Sequence, residues 1–234
     1  IRLSLVGSEM CIRDRVVSED PEKTLSNKQF PWLSYRDIEI GMCPVRALRV
    51  AYTGELGWEL HHPIEMQNYL LDILLSSGKE FNLKLVGARA QNWLRQEKSY
   101  KAFGSDLGRD AGPFESKLSR FVDINKNFLG KDALLKRKTE VSCVTLLIDG
   151  PKDIDPWGRE ALYNETEEVM LGRLTSAGYS VHFKRSIGIG YVKSSFSEVG
   201  TKLRIKIDDA FWNAEIVRDS PYDPQNERII DRAQ

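Results

Sequence analysis

The chain has 234 residues, and its 34 lysines and arginines balance 34 aspartates and glutamates, so its formal net charge is zero. This balance argues against electrostatic capture of nucleic acid or of an anionic membrane, and no apolar run approaches the roughly 20 residues of a membrane span. Three widely spaced cysteines exclude a disulfide scaffold and fit a reducing compartment, and three histidines argue against a histidine-rich metal site.

The first fifteen residues, Ile1 to Arg15, share no pattern with the rest of the chain. The chain starts with Ile rather than Met, and this opening resembles translated adapter read-through from sequence assembly. We therefore predict that residues 1–15 are non-native and that the natural protein begins further upstream, so that the chain is a C-terminal fragment. The alternative is a genuine terminal strand and loop.

The next part of the chain mixes helical and strand patterns. Residues 16–24 resemble the end of a helix, and residues 25–35 are typical of a loop. Hydrophobic spacing then predicts strands at Val45–Tyr52, Trp58–His61 and Phe121–Ile124 and helices at Ile64–Ser77, Val86–Tyr100 and Lys131–Lys138, with Gly78 at a helix C-cap and a loop over residues 106–113.

After Thr139 the pattern changes to strands separated by Gly, Pro and Asp turns. These predicted strands cover Val141–Ile148, Glu168–Thr175, Ile187–Val192, Lys202–Ile207 and Ala210–Val217. Five strands without a helix predict a small antiparallel barrel or sandwich. We therefore predict three regions: a non-native segment (1–15), an α+β domain (16–140) and a C-terminal β-barrel domain (141–234).

One candidate site is the run Tyr52-Thr-Gly-Glu-Leu-Gly-Trp-Glu-Leu60. It predicts a strand, a tight loop whose glycines allow a close backbone approach, and a returning strand. Trp58 and Leu60 then share one face, while Glu59 points the other way, where its carboxylate could face a cavity. The alternative is an exposed glutamate on an edge strand.

Two further features are charged. Arg89 is predicted on the first turn of a helix, where the helix dipole disfavours a cation unless an anion lies nearby. The run Leu94–Leu107 mixes charges with aromatic residues at the end of that helix. Taken alone, these features are explained as well by an exposed arginine and by a solvated helix end with ion pairs of little energetic value.

Together these features resemble the glycine-cleavage T-protein (aminomethyltransferase) family, and more closely the C-terminal folate-binding region of dimethylglycine and sarcosine dehydrogenases. The resemblance covers residues 16–228. Its motifs are Tyr-Thr-Gly-Glu-x-Gly-Trp-Glu (52–59), Gly-x-Arg with Leu-Arg-x-Glu-Lys (87–98), Phe-Gly-x-Asp-Leu (103–107), Phe-Leu-Gly-Lys-Asp-Ala-Leu (128–134), Gly-Arg-Leu-Thr-Ser-Ala-Gly-Tyr-Ser (172–180) and Ser-Pro-Tyr-Asp-Pro (220–224).

The resemblance implies an α+β aminomethyltransferase-like fold followed by the barrel, and a tetrahydrofolate site. Glu59 would accept hydrogen bonds from the adjacent donors of the pterin. Arg89 would lie in the same pocket, either bound to a pterin acceptor or orienting Glu59, and the sequence does not decide between these roles. Tyr52 is a further candidate contact, although it and Trp58 are better explained as packing residues. Asp106 is expected at the pocket rim.

The resemblance also implies parts that this sequence does not contain. The family's catalytic aspartate would lie upstream, so no catalytic residue and no metal ligand is assigned here. In the dehydrogenases an FAD-binding domain comes first, and this chain has no Gly-x-Gly-x-x-Gly. The nearest run, Ile187-Gly-Ile-Gly-Tyr191, is typical of a tight strand. FAD is therefore expected only in an upstream domain, and the fragment alone is expected to oxidise no amine.

Three functions follow from the resemblance. The first is the tetrahydrofolate-binding, one-carbon-accepting region of a dimethylglycine- or sarcosine-type dehydrogenase, which would form methylene-tetrahydrofolate in the mitochondrial matrix of a eukaryote or the cytoplasm of a bacterium. The second is a regulatory module, which the presence of Glu59 disfavours. The third is a stand-alone T-protein with a lipoyl-protein partner. The Ser-Pro-Tyr-Asp-Pro ending disfavours it. The resemblance also implies a substrate-contacting tyrosine in T-proteins at the position where this chain has Asn226-Glu227-Arg228.

Overall fold

A computed structural model of the chain describes residues 26–150 and 154–230. The predictions for residues 1–15 and 16–24 lie outside the described residues. The helices of the described part are α1 (Gln67–Gly78), α2 (Ala88–Glu97), α3 (Lys131–Lys136) and α4 (Glu227–Ile230). Its strands are β1 (Tyr35–Ile40), β2 (Cys43–Leu48), β3 (Glu59–His61), β4 (Val141–Ile148), β5 (Ala161–Tyr163), β6 (Met170–Ser180), β7 (Arg185–Lys193), β8 (Lys202–Ile207) and β9 (Ala210–Val217).

The chain divides into two compact units. Of the described residues, 26–94 and 223–230 form the first, which we call the sheet unit, and 95–150 and 154–222 form the second, which we call the barrel unit. The division falls within α2. Each unit has its own cluster of buried apolar side chains, so each is described by itself.

The sheet unit contains an antiparallel sheet in the order β1-β2-β3. In β2 the buried residues Cys43, Val45 and Ala47 alternate with exposed ones, the pattern of a strand that buries one face. Leu70 and Leu74, one helical turn apart on α1, are buried in the same apolar cluster. The predicted amphipathic helix is therefore confirmed, although its first turn, Ile64–Met66, is a 3₁₀ helix.

The barrel unit contains a closed antiparallel barrel in the order β4-β7-β6-β5-β8-β9, and β9 pairs back to β4. Its interior is filled by apolar side chains from every strand: Val144, Leu146, Ile148, Leu162, Leu171, Leu174, Ala177, Val192, Leu203, Ile205, Ile207, Ala214 and Ile216. The predicted barrel is confirmed, and three of its five predicted strands have the predicted bounds. The sixth strand, β5, is too short to show a sequence period.

One strand lies outside the predicted elements, and one predicted strand is wrong. Residues 36–40 form most of β1, whose buried side chains are only Ile38 and Ile40. The segment Phe121–Ile124 is not a strand: a 3₁₀ turn covers Ser119–Phe121, and Phe121 is exposed. Strand propensity at 121–124 finds no pairing partner, and a strand without a partner is not stable.

The α+β class and the barrel are thus as predicted. The compact units divide elsewhere than the predicted domains, because residues 95–140 make contacts with the barrel strands. For example, the amide of Cys143 on β4 donates to the carbonyl of Glu115, and the Ser116 and Tyr191 hydroxyls lie 2.8 Å apart. The assignment of domains to 16–140 and 141–234 stays a prediction.

Candidate functional site

The hairpin between β2 and β3 carries two of the four predicted site residues, Tyr52 and Glu59. β2 ends at Leu48, so Tyr52 lies in the connecting loop rather than in the predicted strand, and its side chain is half-buried. Gly54 has a φ of +84°, a conformation that residues with a Cβ rarely adopt. The loop then returns the chain into β3, where Glu59 pairs with Leu48.

Glu59 lies on the face of β3 that points away from the apolar cluster. Its neighbours Trp58 and Leu60 pack against that cluster, as the alternation predicts. The Glu59 side chain is 28% exposed, and its Oε2 lies 3.8 Å from Nε2 of His61, two residues further along the same face. The carboxylate is thus only partly shielded from water.

Arg89 is the second residue of α2 and is exposed. Its guanidinium carbon lies 5.3 Å from the centre of the Trp93 ring, one turn further along the helix. A cation–π contact of this kind fixes the side chain along the helix surface. The helix begins two residues later than predicted, and the first turn contains no acidic residue. The pairing of Arg89 with Glu59 stays a prediction.

Asp106 lies in the barrel unit and has a fully buried carboxylate. Its Oδ2 is 2.7 Å from Nη1 of Arg95, whose side chain is 3% exposed, and it accepts a hydrogen bond of 2.9 Å from the Ala102 amide. Its Oδ1 accepts hydrogen bonds of 2.6 Å from the hydroxyls of Thr175 and Ser176. These four donors use the full hydrogen-bonding capacity of the carboxylate, and such an arrangement is typical of a structural residue. A folate contact of Asp106 stays a prediction.

The segment after Arg95 is buried too. Glu97 accepts hydrogen bonds from the Ser180 hydroxyl on β6 and, at 3.2 Å, from the His182 amide. Lys98 is 1% exposed, and the Ser99 hydroxyl is 2.7 Å from that of Thr145 on β4. The interpretation of this run as a solvated helix end is therefore wrong.

Sequence reasoning missed these barrel partners. The signal was present as hydroxyl residues within otherwise apolar strands, namely Thr145, Ser176, Ser180 and Ser186, which are all buried. A buried hydroxyl requires a hydrogen-bond partner. The nearby motif Leu-Arg-x-Glu-Lys contains charged residues that could serve as such partners. Matching the two sets would have predicted the burial of residues 95–99.

The described residues contain no group of three or more His, Cys, Asp and Glu side chains that could hold a metal ion. His61 is exposed, and Nδ1 of His62 lies 2.9 Å from the carbonyl of Pro63. Among the helices of residues 26–150 and 154–230, none has the length and apolar character to cross a bilayer.

Comparison with known proteins identifies two family domains. Residues 14–126 match the GCVT N-terminal domain, and residues 142–223 match the glycine cleavage T-protein C-terminal barrel domain. The solved aminomethyltransferase T of the glycine cleavage system from Bartonella henselae superposes with a TM-score of 0.73 over 87% of this chain and 56% of that one, at 21% identity, and this similarity supports the fold.

Curated relatives fall into two groups. The mitochondrial dimethylglycine dehydrogenase of Mus musculus is 35% identical over 88% of this chain, which spans only 24% of that protein. An aminomethyltransferase of Caldanaerobacter subterraneus subsp. tengcongensis is 32% identical over 72% of this chain, which spans 45% of that protein. The chain thus covers about a quarter of the first relative and less than half of the second. On these matches the chain belongs to the glycine cleavage T-protein family.

Proposed function

We propose that the chain binds tetrahydrofolate and that Glu59 recognises its pterin ring. The observation that carries this proposal is the Glu59 side chain, held on a short strand with 28% of its surface exposed and directed away from the apolar cluster. A carboxylate in such a place accepts two parallel hydrogen bonds from the adjacent amino and ring N–H donors of a pterin, and charge-assisted pairs of this kind are among the strongest in proteins.

The residues around Glu59 fit such a ligand. His61 adds a polar group on the same face as Glu59, and Tyr52 lies half-buried in the loop that leads into the strand of Glu59. We assign Arg89 to the same site, where its fork either binds a pterin acceptor or orients Glu59. Asp106 is a weaker candidate, because its carboxylate already accepts four hydrogen bonds from the chain. When bound, tetrahydrofolate supplies an amine that accepts a one-carbon unit.

The glycine run of the described residues does not fit a dinucleotide site. The glycine run at 188–190 lies inside β7, where Gly188 pairs with Leu146 and Gly190 with Val144 of the neighbouring barrel strand. A dinucleotide loop requires free backbone amides at the start of a helix, and these amides lie within a sheet. We therefore propose that any flavin of the full protein is bound by another region.

A variant test addresses the folate proposal. Glu59→Gln removes the charge and one acceptor, so we expect tetrahydrofolate affinity to fall by about 2–3 kcal/mol, roughly 30- to 150-fold. Isothermal titration calorimetry under anaerobic conditions measures this change. Glu39→Gln, which alters an exposed glutamate of β1 in the same sheet, is the control. Equal affinity of Glu59→Gln and the unaltered chain would reject the assignment of Glu59.

We further propose that the chain serves a dimethylglycine- or sarcosine-type dehydrogenase as its one-carbon-accepting region. The dehydrogenase relative supports this choice, since it is 35% identical over 88% of this chain, whereas an aminomethyltransferase aligned along 87% of this chain is 27% identical. A bound nucleophile near the site of amine oxidation would turn a diffusive capture into a local one. The coding sequence ahead of residue 16 tests it. A strand and helix joined by Gly-x-Gly-x-x-Gly supports the dehydrogenase, and a T-protein start without it supports the aminomethyltransferase.

A further inference from the structure

Arg49, the first residue after β2, is a buried cation in the sheet unit. It is 2% exposed. Burying a guanidinium costs several kcal/mol, so the contacts that its two Nη atoms make must offset much of this cost. The family resemblance assigns this residue no role.

Those contacts join distant segments of the sheet unit. Nη1 of Arg49 donates to the carbonyl of Phe30, and Nη2 donates to the side-chain oxygen of Asn27. Nη2 also donates to the carbonyl of Ile230, the last residue of α4, over 3.3 Å. The guanidinium carbon lies 5.9 Å from the centre of the Trp58 ring.

The backbone of Arg49 is fixed as well. Its amide donates to the carbonyl of Ser34 over 2.9 Å, and its carbonyl accepts from the amide of Leu33 over 3.2 Å. Hydrogen bonds therefore hold both the backbone and the guanidinium of Arg49. A flexible lysine could reach one of these acceptors, whereas the planar fork of arginine reaches several at once and lies against an aromatic ring.

These contacts bear on Glu59. The strand that carries it, β3, has three residues and lies at the edge of the sheet, so its register rests on three residue pairs. A slip by one residue would turn Glu59 to the face that packs on the apolar cluster. Leu48, which pairs with Glu59, precedes Arg49, and Trp58, which contacts the guanidinium, precedes Glu59. Arg49, at the end of β2, thus contacts Trp58, the residue directly before Glu59, across the hairpin.

We propose that Arg49 is a positioning residue for folate binding: it fixes Trp58 and the register of β3, and through them the direction of the Glu59 carboxylate. This inference rests on the proposed folate function. It differs from a role in stability alone, because a positioning role requires that the effect of Arg49 on affinity depends on Glu59.

A double-mutant cycle on the full chain tests this dependence. The proteins are the unaltered chain, Arg49→Lys, Glu59→Gln and the double variant, and tetrahydrofolate affinity is measured by calorimetry. We expect Arg49→Lys to weaken binding about tenfold when Glu59 is present and less than twofold in the Glu59→Gln background. Arg46→Lys, which alters an exposed arginine of β2 paired with Asp37, should leave affinity unchanged.

Hydrogen exchange of the free chain gives a second measurement. Arg49→Lys should speed exchange at the amides of Glu59–His61 while leaving the central pairing of β1 with β2 protected. Should Arg49→Lys fail to fold in urea titrations, Asn27→Ala replaces it in the cycle, because it removes one acceptor and keeps the cation.

The outcomes separate the two proposals. An equal loss of affinity in both backgrounds, or no loss in either, overturns the positioning role of Arg49 and leaves the folate proposal standing. A Glu59→Gln chain that binds as tightly as the unaltered chain overturns the Glu59 assignment itself, and the role of Arg49 with it.

Discussion

The charged residues of the two units have different environments. In the sheet unit, Glu59 is partly exposed on a strand edge and Arg89 is exposed on a first helical turn. In the barrel unit, Arg95 and Asp106 are almost fully buried, 2.7 Å apart, and surrounded by hydroxyls and amides of their own chain. All four belong to motifs of the same family resemblance.

The difference separates residues that can bind a ligand from residues that hold the fold. A carboxylate with four donors from its own chain has no capacity left for a ligand, and moving it would leave a buried cation alone. The Glu59 carboxylate, by contrast, is 28% exposed on a short strand, where a ligand can approach it from solvent. A motif match by itself does not distinguish these two cases, whereas burial and the hydrogen-bond inventory do.

The sharpest test of this comparison is Asp106→Asn. The change removes the negative charge that faces Arg95 and turns an acceptor into a donor among donors, so we expect the free energy of unfolding to fall by about 3–5 kcal/mol. Urea denaturation measures it. Asp149→Asn, which alters an exposed partner of Arg185 on the same barrel, should change stability by less than about 1 kcal/mol. A similarly small effect of Asp106→Asn would mean that the buried pair is not structural.

Periodic apolar patterns made most of the fold predictable. The strands β4, β8 and β9 were predicted to the residue because turn residues bound each of them, and α1 was recognised from its repeated apolar positions. The short strands β1 and β5 were not predicted, because three to six residues with two or fewer buried side chains show no clear period. Their existence depends on pairing with distant strands.

The site was predictable only in part. The alternation around Trp58 predicts the orientation of Glu59, and the structure agrees. No local pattern predicts the burial of Arg49, because the partners that bury it, Asn27, Phe30 and Ile230, are up to 181 residues away along the chain. Long-range hydrogen bonds of this kind leave no local signal in one sequence.

A second prediction concerns the close packing between strands β6 and β7 of the barrel. A Cβ added at Gly190 on β7 would lie 2.5 Å from the carbonyl oxygen of Arg173 and 2.9 Å from the Cα of Leu174, and neither backbone atom can rotate away. We expect Gly190→Ala to destabilise the chain by about 3 kcal/mol in urea denaturation. Gly108 lies in a loop of the same unit, where an added Cβ would have no atom within 4 Å. Gly108→Ala is therefore the control and should change stability by less than about 0.5 kcal/mol. Equal effects would contradict the close packing of β6 on β7.

The smallest expected effect concerns the thiol of Cys143, which burial in the barrel unit holds in its neutral form. Burial raises the pKa of Cys143 from 9.0 to about 11, with smaller contributions from nearby charges. A group whose pKa is higher in the folded chain stabilises it fully below its unfolded pKa, and this contribution is lost as the pH rises through the folded pKa. We therefore expect the unaltered chain to lose about 2 kcal/mol more than Cys143→Ala between pH 8 and 10.5.

Urea denaturation of both proteins across this pH range measures the difference, and the thiolate absorbance gives the pKa directly. The phenol of Tyr191, whose pKa burial raises to about 12, is present in both proteins, so most of its contribution cancels. In the sheet unit burial also raises the pKa of Cys43, and Cys43→Ala supplies the matched comparison. If the stability of the unaltered chain and of Cys143→Ala falls in parallel, the thiol is reached by water, and the barrel unit is more open on this side than its packing indicates.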